Sequence, residues 1–162
     1  MRPVQFECTA VIPCTASVIA ANIADVTRWR EFQGYGFLPG IAQAEYEQRS
    51  ATMVGSCVRV RNTDGSQHRE EFLEWNPEQK IVIKLYDFSP PVSSLATHFI
   101  EAWDFEARGS VTFARRSFQL FPKRTMTRPL LCLISLIFKP AIVRHLAEMA
   151  AEAKRVGGST LP

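Results

Sequence analysis

Six strand-like segments follow one another between residues 41 and 121, and one long apolar helix comes directly after them. The segments are IAQAEYEQR, SCVRVRN, QHREEFLEW, KIVIKLYDF, LATHFIEAWDF and SVTFARRSFQLF. Short turn signals separate most of them, namely TDGS, NPEQ, SPPVSS and EARG. Because connections this short join antiparallel neighbours, the sequence predicts an antiparallel meander. A helix over roughly residues 127–156 would then cover it.

The first forty residues predict a strand and two short helices ahead of that meander. VQFECTAVI is rich in β formers and reads as a strand that Pro13 ends. Thr15 is a plausible N-cap for the helical spacing of ASVIAANIAD, and Asp25 for VTRWREFQ. GYGFLPG has the composition of a loop. Pro140 lies inside the long C-terminal helix, where its ring should cause a kink.

Length and composition predict one globular domain. The chain has 162 residues, of which 46% are hydrophobic and 22% charged, so one core can be buried. We expect a single domain over residues 1–156 and a flexible tail over 157–162. The N-terminus lacks the pattern of a signal peptide, which predicts a cytoplasmic protein. Four cysteines without a CxxC pair predict reduced, buried thiols.

Three stretches of the chain are IPCTASVIAANIADVTRWREF, EAWDFEARGSVTFARRSFQL and RPLLCLISLIFKPAIVRHLAEMAAEAKR. They resemble the START-like (SRPBCC) superfamily, and within it the polyketide cyclase/dehydrase and lipid-transport family. The similarity extends over roughly residues 4–156, although Gly109-Ser110 stands where the family commonly has Gly-Thr. The resemblance implies an α+β helix-grip (START-like) fold, in which a seven-stranded curved antiparallel sheet surrounds a long C-terminal helix. It also implies a cavity between sheet and helix.

The last hairpin predicts which side chains face that cavity. A turn at residues 107–108, or at 106–109, pairs Trp103 with Thr112 and Phe99 with Arg116. Side chains alternate between the faces of a strand, and the more aromatic face is expected to be concave. That face holds Phe99, Glu101, Trp103, Phe105, Ala114, Arg116, Phe118 and Leu120.

Glu101 and Arg116 are the charged pair of this face, as diagonal neighbours. They could form a self-neutralising ion pair, or Arg116 could bind a ligand carboxylate or enolate while Glu101 holds it. Tyr86 could donate a proton to a carbonyl, or simply pack. The predicted ligand-binding residues are Tyr86, Phe99, Glu101, Trp103, Arg116, Phe118, Leu133 and Ile137.

Other chemistry has little support in the sequence. His68, His98 and His145 lie on three separate elements without the spacing of metal ligands, so we expect no metal site. No GxSxG, P-loop or GxGxxG motif occurs, and no cofactor is expected. The basic C-terminal third lacks a nucleic-acid motif, which argues against binding to RNA or DNA.

The start of the long helix is apolar on every side. Ser135 is the only polar side chain of residues 129–138, a stretch of about 15 Å that is too short to span a bilayer. Three partners could cover its outer side: a second subunit, a membrane surface, or the GYGFLPG loop. Residues 1–114 contain 10 basic and 14 acidic side chains, whereas residues 115–162 contain 9 and 2. The basic residues near this stretch are Lys123, Arg124, Arg128, Lys139 and Arg144, and they favour an anionic partner.

Two functions fit these features. The first is a carrier or sensor that binds a hydrophobic small molecule, such as a lipid, isoprenoid or polyketide-like compound. The second is an enzyme of the polyketide cyclase/dehydratase type, which needs acid/base groups that converge in the cavity.

Overall fold

In the computed structural model, which describes residues 2–158, seven strands form one sheet and a long helix lies across it. The strands are β1 (Val4–Ile12), β2 (Ile41–Gln48), β3 (Cys57–Asn62), β4 (Gln67–Asn76), β5 (Lys80–Tyr86), β6 (Ala96–Arg108) and β7 (Val111–Pro122). The α-helices are α1 (Ala16–Ala24), α2 (Val92–Leu95) and α3 (Arg128–Gly158), and 3-10 helices occupy Val26–Glu31 and Thr125–Thr127.

The sheet order is β1-β7-β6-β5-β4-β3-β2, and every neighbouring pair is antiparallel. Strands β2 to β7 form the predicted meander. β1 joins it at the far edge, beside β7, so that α1 and the first 3-10 helix carry the chain across to β2. The predicted α+β fold, with a curved seven-stranded sheet and a long C-terminal helix, is confirmed.

Helix α3 packs mainly against β1. Its buried side chains include Leu131, Phe138, Ile142 and Leu146, and the Phe138 ring lies 4.7 Å from that of Phe118. Pro140 lies inside the helix, which continues through it. By length and hydropathy alone, Thr125–Gly157 would be sufficient to cross a membrane. A long core helix has the same properties, but here only the side of the helix that packs against the sheet is buried, and Leu130, Leu133 and Leu136 are exposed.

The local predictions at the N-terminus have mixed outcomes. Asp25 caps the 3-10 helix as expected, because its Oδ1 accepts hydrogen bonds from Thr27 N at 3.1 Å and Thr27 Oγ1 at 2.6 Å. Thr15 occupies the N-cap of α1 without a capping side-chain bond, and its hydroxyl pairs with that of Ser17 instead.

The short helix α2 replaces the turn predicted at SPPVSS. Of the four thiols only Cys8 is buried; the other three are half-buried, and all four are free.

The register of the last hairpin differs from the prediction. The turn is the two-residue Gly109-Ser110, with Gly109 at a φ of 65°, a left-handed conformation that suits glycine. Trp103 therefore pairs with Arg116, and Phe99 with Leu120. The pairing is displaced by four residues, an even number, so each side chain keeps the face predicted for it.

Candidate functional site

A cavity of about 370 Å³ lies between the concave face of the sheet and α3, near the loop that follows the first 3-10 helix. Most of the side chains that line it are apolar, as in pockets for small organic ligands. The sheet contributes Ile83, Leu85, Phe99, Glu101, Trp103, Arg116 and Phe118, and the helix contributes Ile134, Phe138, Ile142, His145 and Met149.

Glu101 and Arg116 form an ion pair in the cavity wall. Glu101 Oε1 accepts hydrogen bonds from Arg116 Nε at 2.7 Å and from Trp103 Nε1 at 2.5 Å. The side chains of Glu101 and Arg116 are only 6% and 11% exposed. The guanidinium carbon of Arg116 also lies 4.6 Å from the ring centre of Trp103 and 5.2 Å from that of Phe118. These contacts fix the plane and direction of the guanidinium.

His145 extends this cluster from the helix side. Its Nδ1 lies 3.0 Å from Arg116 Nη1, and because arginine can only donate, Nδ1 is the acceptor. Burial, together with the charges of Arg116 and Arg28, lowers the pKa of His145 to about 3. The ring is therefore neutral near pH 7 and carries its proton on Nε2. The ring lines the cavity, and no described residue is hydrogen-bonded to Nε2.

Burial also changes the pKa of the Glu101 carboxyl group. Desolvation raises its pKa, and the nearby charge of Glu70 adds to this effect. Arg116 and Trp103 act in the opposite direction because they stabilise the carboxylate. Glu101 therefore combines an environment that resists ionisation with donors that favour it.

A second polar pair lines the cavity on β4. His68 Nε2 lies 3.0 Å from Glu70 Oε1, and the two side chains are 10% and 8% exposed. Because they are two residues apart on one strand, both point to the concave face. The ring of Phe88 lies 5.8 Å from that of His68 and covers this end of the cavity.

Arg28 ties the 3-10 helix to the second half of α3 at the edge of the cavity. It donates to both carboxylate oxygens of Glu31 at 3.1 Å, to Glu152 Oε2 at 2.5 Å and to Asn22 Oδ1 at 2.7 Å. Phe37, in the following loop, lines the cavity although it is 96% exposed. That loop therefore forms part of the rim.

Five of the eight predicted site residues line this cavity: Phe99, Glu101, Trp103, Arg116 and Phe118. The predicted contact between Glu101 and Arg116 is present.

The other three predicted residues lie elsewhere. Tyr86 points to the convex face, where its hydroxyl lies 3.5 Å from Cys57 Sγ, and this contact raises its pKa to about 12. Leu133 is exposed. Ile137 is half-buried near Gly36. The helix turns Ile134 and Phe138 inward instead, which places their neighbours Leu133 and Ile137 outside the cavity.

The polar cavity residues that sequence reasoning missed include His68, Glu70 and His145. The signals were present, since Glu70 precedes the buried Phe72 by two positions on a strand. His145 follows Ile142 by three positions and precedes Met149 by four, which places it on their side of the helix. Across residues 2–158 no group of three His, Cys, Asp or Glu side chains could hold a metal ion.

No protein-family model and no curated protein sequence matches the chain. Solved structures do share its fold. The Zhui aromatase/cyclase from Streptomyces sp. R1128 has a TM-score of 0.71 at 15% identity, over 94% of each chain. Ara h 8.0201 has a TM-score of 0.62 at 15% identity, over 90% of this chain and 98% of its own. The major latex-like protein 151 from Panax ginseng has a TM-score of 0.60 at 15% identity, with the same coverage.

At these identities the likeness concerns the fold and not the activity. The neighbours include the three proteins above, and all have a curved sheet around a long C-terminal helix. The resemblance predicted from the sequence is thereby confirmed at the level of the fold: the chain has the START-type (SRPBCC) helix-grip fold.

Proposed function

We propose that the protein binds one hydrophobic small molecule, such as a lipid, isoprenoid or polyketide-like compound, as a carrier or sensor. The observation that carries the proposal is the largely apolar cavity with one buried polar cluster, Glu101, Arg116 and His145. Its volume of about 370 Å³ is within the usual range for small-molecule sites.

The charges of the cluster favour a neutral polar group on the ligand. Arg116 is already paired with Glu101, and Glu70 adds a second carboxyl group to the same wall. A ligand carboxylate would meet two carboxyl groups and only one paired guanidinium. A carbonyl oxygen could instead accept a hydrogen bond from His145 Nε2 or from an unused N–H of Arg116. A ketone or ester carbonyl is therefore the expected anchor.

Competition among three matched probes tests this proposal. A long-chain methyl ketone, the fatty acid of equal length and the corresponding alkane are each used to displace a bound fluorescent apolar probe. We expect the ketone to compete best, because only its oxygen is both neutral and an acceptor. His145→Phe should reduce the advantage of the ketone over the alkane, because Arg116 is then the one donor left in the cluster, while alkane binding remains.

Two results would contradict the proposal. If none of the three probes displaces the fluorescent one, and native mass spectrometry of the purified protein finds no apolar ligand, the binding function is wrong. If the fatty acid competes best and Arg116→Met removes its advantage, the cluster is an anion site and the neutral anchor is wrong.

A cyclase or dehydratase is the second candidate. Burial raises the pKa of Glu101, which favours the protonated form that a general acid needs. His145 gives it little support, because a pKa of about 3 makes the ring a poor base at pH 7. The test is incubation with a poly-β-ketone probe and analysis of the products by mass spectrometry. Cyclisation that exceeds the rate in buffer, and that Glu101→Gln abolishes, would favour the enzyme.

A further inference from the structure

Part of the protein surface is apolar and uncovered. We define the apolar patch as Phe37, Met126, Leu130, Leu133 and Leu136, which are 96%, 87%, 49%, 57% and 70% exposed. The last three belong to the first turns of α3. The loop that carries Phe37 reaches this helix, because a Cβ placed on Gly36 would lie 4.0 Å from the Ile137 side chain. The GYGFLPG loop thus approaches the helix without covering the leucines.

Basic side chains flank the patch. Lys123, Arg124, Arg128 and Lys139 are all exposed, and within residues 2–158 none of them forms an ion pair. Lys139 follows Leu136 by three positions, which makes the two neighbours on the helix surface. No residue from 107 to 147 is acidic. Arg144 does not contribute, because it pairs with Glu148 at 2.9 Å.

We propose that the apolar patch docks on the surface of a membrane that contains anionic lipid. Apolar side chains flanked by unpaired cations are the combination that binds at such an interface, because the apolar groups enter the headgroup boundary and the cations attract the lipid charge. A symmetric dimer through the same patch would bring identical cations together, and residues 107–147 offer no acidic side chain to pair with them. The charge pattern therefore favours the membrane over a second copy of this chain.

Docking in this orientation would bring the rim of the cavity to the bilayer. Phe37 belongs to the apolar patch and also lines the cavity. Its neighbour Leu38 lines the cavity too. A hydrophobic ligand could then pass between bilayer and cavity without crossing water. The docking surface consists of outward-facing residues and does not depend on which ligand the cavity binds.

Vesicle co-sedimentation of the full-length protein tests the proposal. The vesicles are phosphatidylcholine alone, and phosphatidylcholine mixed with phosphatidylglycerol, each at low and high salt. The informative variant is Leu133→Glu with Leu136→Glu. Leu131 and Ile134 are unsuitable targets, because Leu131 is fully buried and Ile134 lines the cavity. Leu73→Glu is the matched control, since Leu73 is 42% exposed on β4, away from the β1 edge that α3 covers.

We expect the wild-type protein to sediment with acidic vesicles and not with neutral ones. High salt should weaken this binding, because exposed charges are screened within roughly 8 Å at physiological ionic strength. The double leucine variant should lose the binding and Leu73→Glu should keep it. Lys139→Gln or Arg128→Gln should each weaken it about fivefold, as expected for a cation near acidic lipid.

Three outcomes would overturn the proposal. The first is a wild-type protein that ignores acidic vesicles. The second is binding that neither salt nor the lysine and arginine variants change. The third is a dimer in size-exclusion chromatography with light scattering that the two glutamates dissociate, which would assign the patch to a second copy of this chain. Should the double leucine variant not fold, the single cation variants and the salt series decide the question.

Discussion

Two clusters of arginine and carboxylate side chains lie on opposite faces of the same sheet. Inside, Arg116 pairs with Glu101 at 2.7 Å, and their side chains are 11% and 6% exposed. Outside, Arg69 pairs with Glu47 at 2.8 Å, and their side chains are 37% and 25% exposed. Arg59 also contacts Glu47. The residue types and the bond lengths are nearly the same, so burial is the main difference, although Glu47 has two arginine partners and Glu101 has one.

The pKa shifts of the two carboxyl groups have opposite directions. Hydrogen bonds from Arg69 and Arg59 lower the pKa of Glu47, since water still solvates its charge. Burial raises the pKa of Glu101 although Arg116 is equally close. Access of water, more than the identity of the partner, therefore determines the direction of the carboxyl pKa shift in each cluster. The inner cluster is buried and held by several contacts, whereas the outer one is exposed to water.

The largest effect should come from Glu101→Ala. The substitution leaves the Arg116 guanidinium buried without its carboxylate, and breaking a buried ion pair in this way costs about 3–5 kcal/mol. Urea unfolding followed by circular dichroism measures the loss in the free energy of unfolding.

The control for this prediction removes both charges. Glu101→Leu combined with Arg116→Met leaves no unpaired charge, so we expect it to recover most of the lost stability. If the double variant is as unstable as Glu101→Ala, shape and packing of the wall are responsible, and not the unpaired charge.

The sequence predicted the fold well because strands, turns and the long helix each leave a periodic pattern. The hairpin faces of Phe99, Trp103 and Phe118 also came out correctly, since a register error of four residues does not change the parity of a strand. The turn itself was misplaced. EARG reads as a turn by composition, whereas the left-handed Gly109 places the turn two residues later.

Measuring the free energy of unfolding as a function of pH should distinguish the inner cluster from the outer one through His145. The pKa of His145 is lowered to about 3 from an ordinary 6.5, so below pH 6.5 the unfolded chain takes up a proton that the folded protein does not. The stability contributed by the neutral ring is complete above pH 6.5 and is lost progressively down to about pH 3. The slope should approach about 1.4 kcal/mol for each pH unit.

The raised pKa of Glu101 changes the stability in the opposite direction to that of His145. Because Glu101 is present in both proteins, its effect cancels in the difference between wild type and His145→Gln, which isolates the contribution of His145. His98→Gln is the matched control, since burial also lowers the pKa of His98 but it lies outside the cavity. Equal slopes for wild type and His145→Gln would mean that the ring is solvated.

The cavity residues were harder to predict than the fold. Glu101 and Arg116 could be found because they are neighbours in one hairpin. His145 comes from α3. Its spacing from Ile142 and Met149 indicates its side of the helix, but its contact with Arg116 also depends on how α3 is seated against the sheet, for which the sequence contains no direct signal. The same missing signal explains why Leu133 and Ile137 were expected in the cavity.

Tyr86 was expected among the ligand-binding residues but lies on the convex face, and β5 itself contains the signal for this. Ile81, Ile83 and Leu85 are the buried set of the strand, and they alternate with less buried residues. Because side chains alternate between the two faces of a strand, Tyr86 must lie on the side opposite Leu85. Its aromatic ring and hydroxyl suit a cavity wall by residue type, but the parity of the strand decides the face.

The smallest effect should come from Glu47→Gln on the outer face. Exposed ion pairs contribute little to stability because water and salt screen them, and Arg69 keeps Asp87 as a second partner at 2.5 Å. We expect its urea midpoint to lie close to that of wild type, and the remaining difference to vanish at high salt. Glu101→Gln, measured beside it, should lower the midpoint clearly at both salt concentrations. If the two variants shift the midpoint equally and salt affects neither, burial does not separate the clusters, and the contrast between the two faces is wrong.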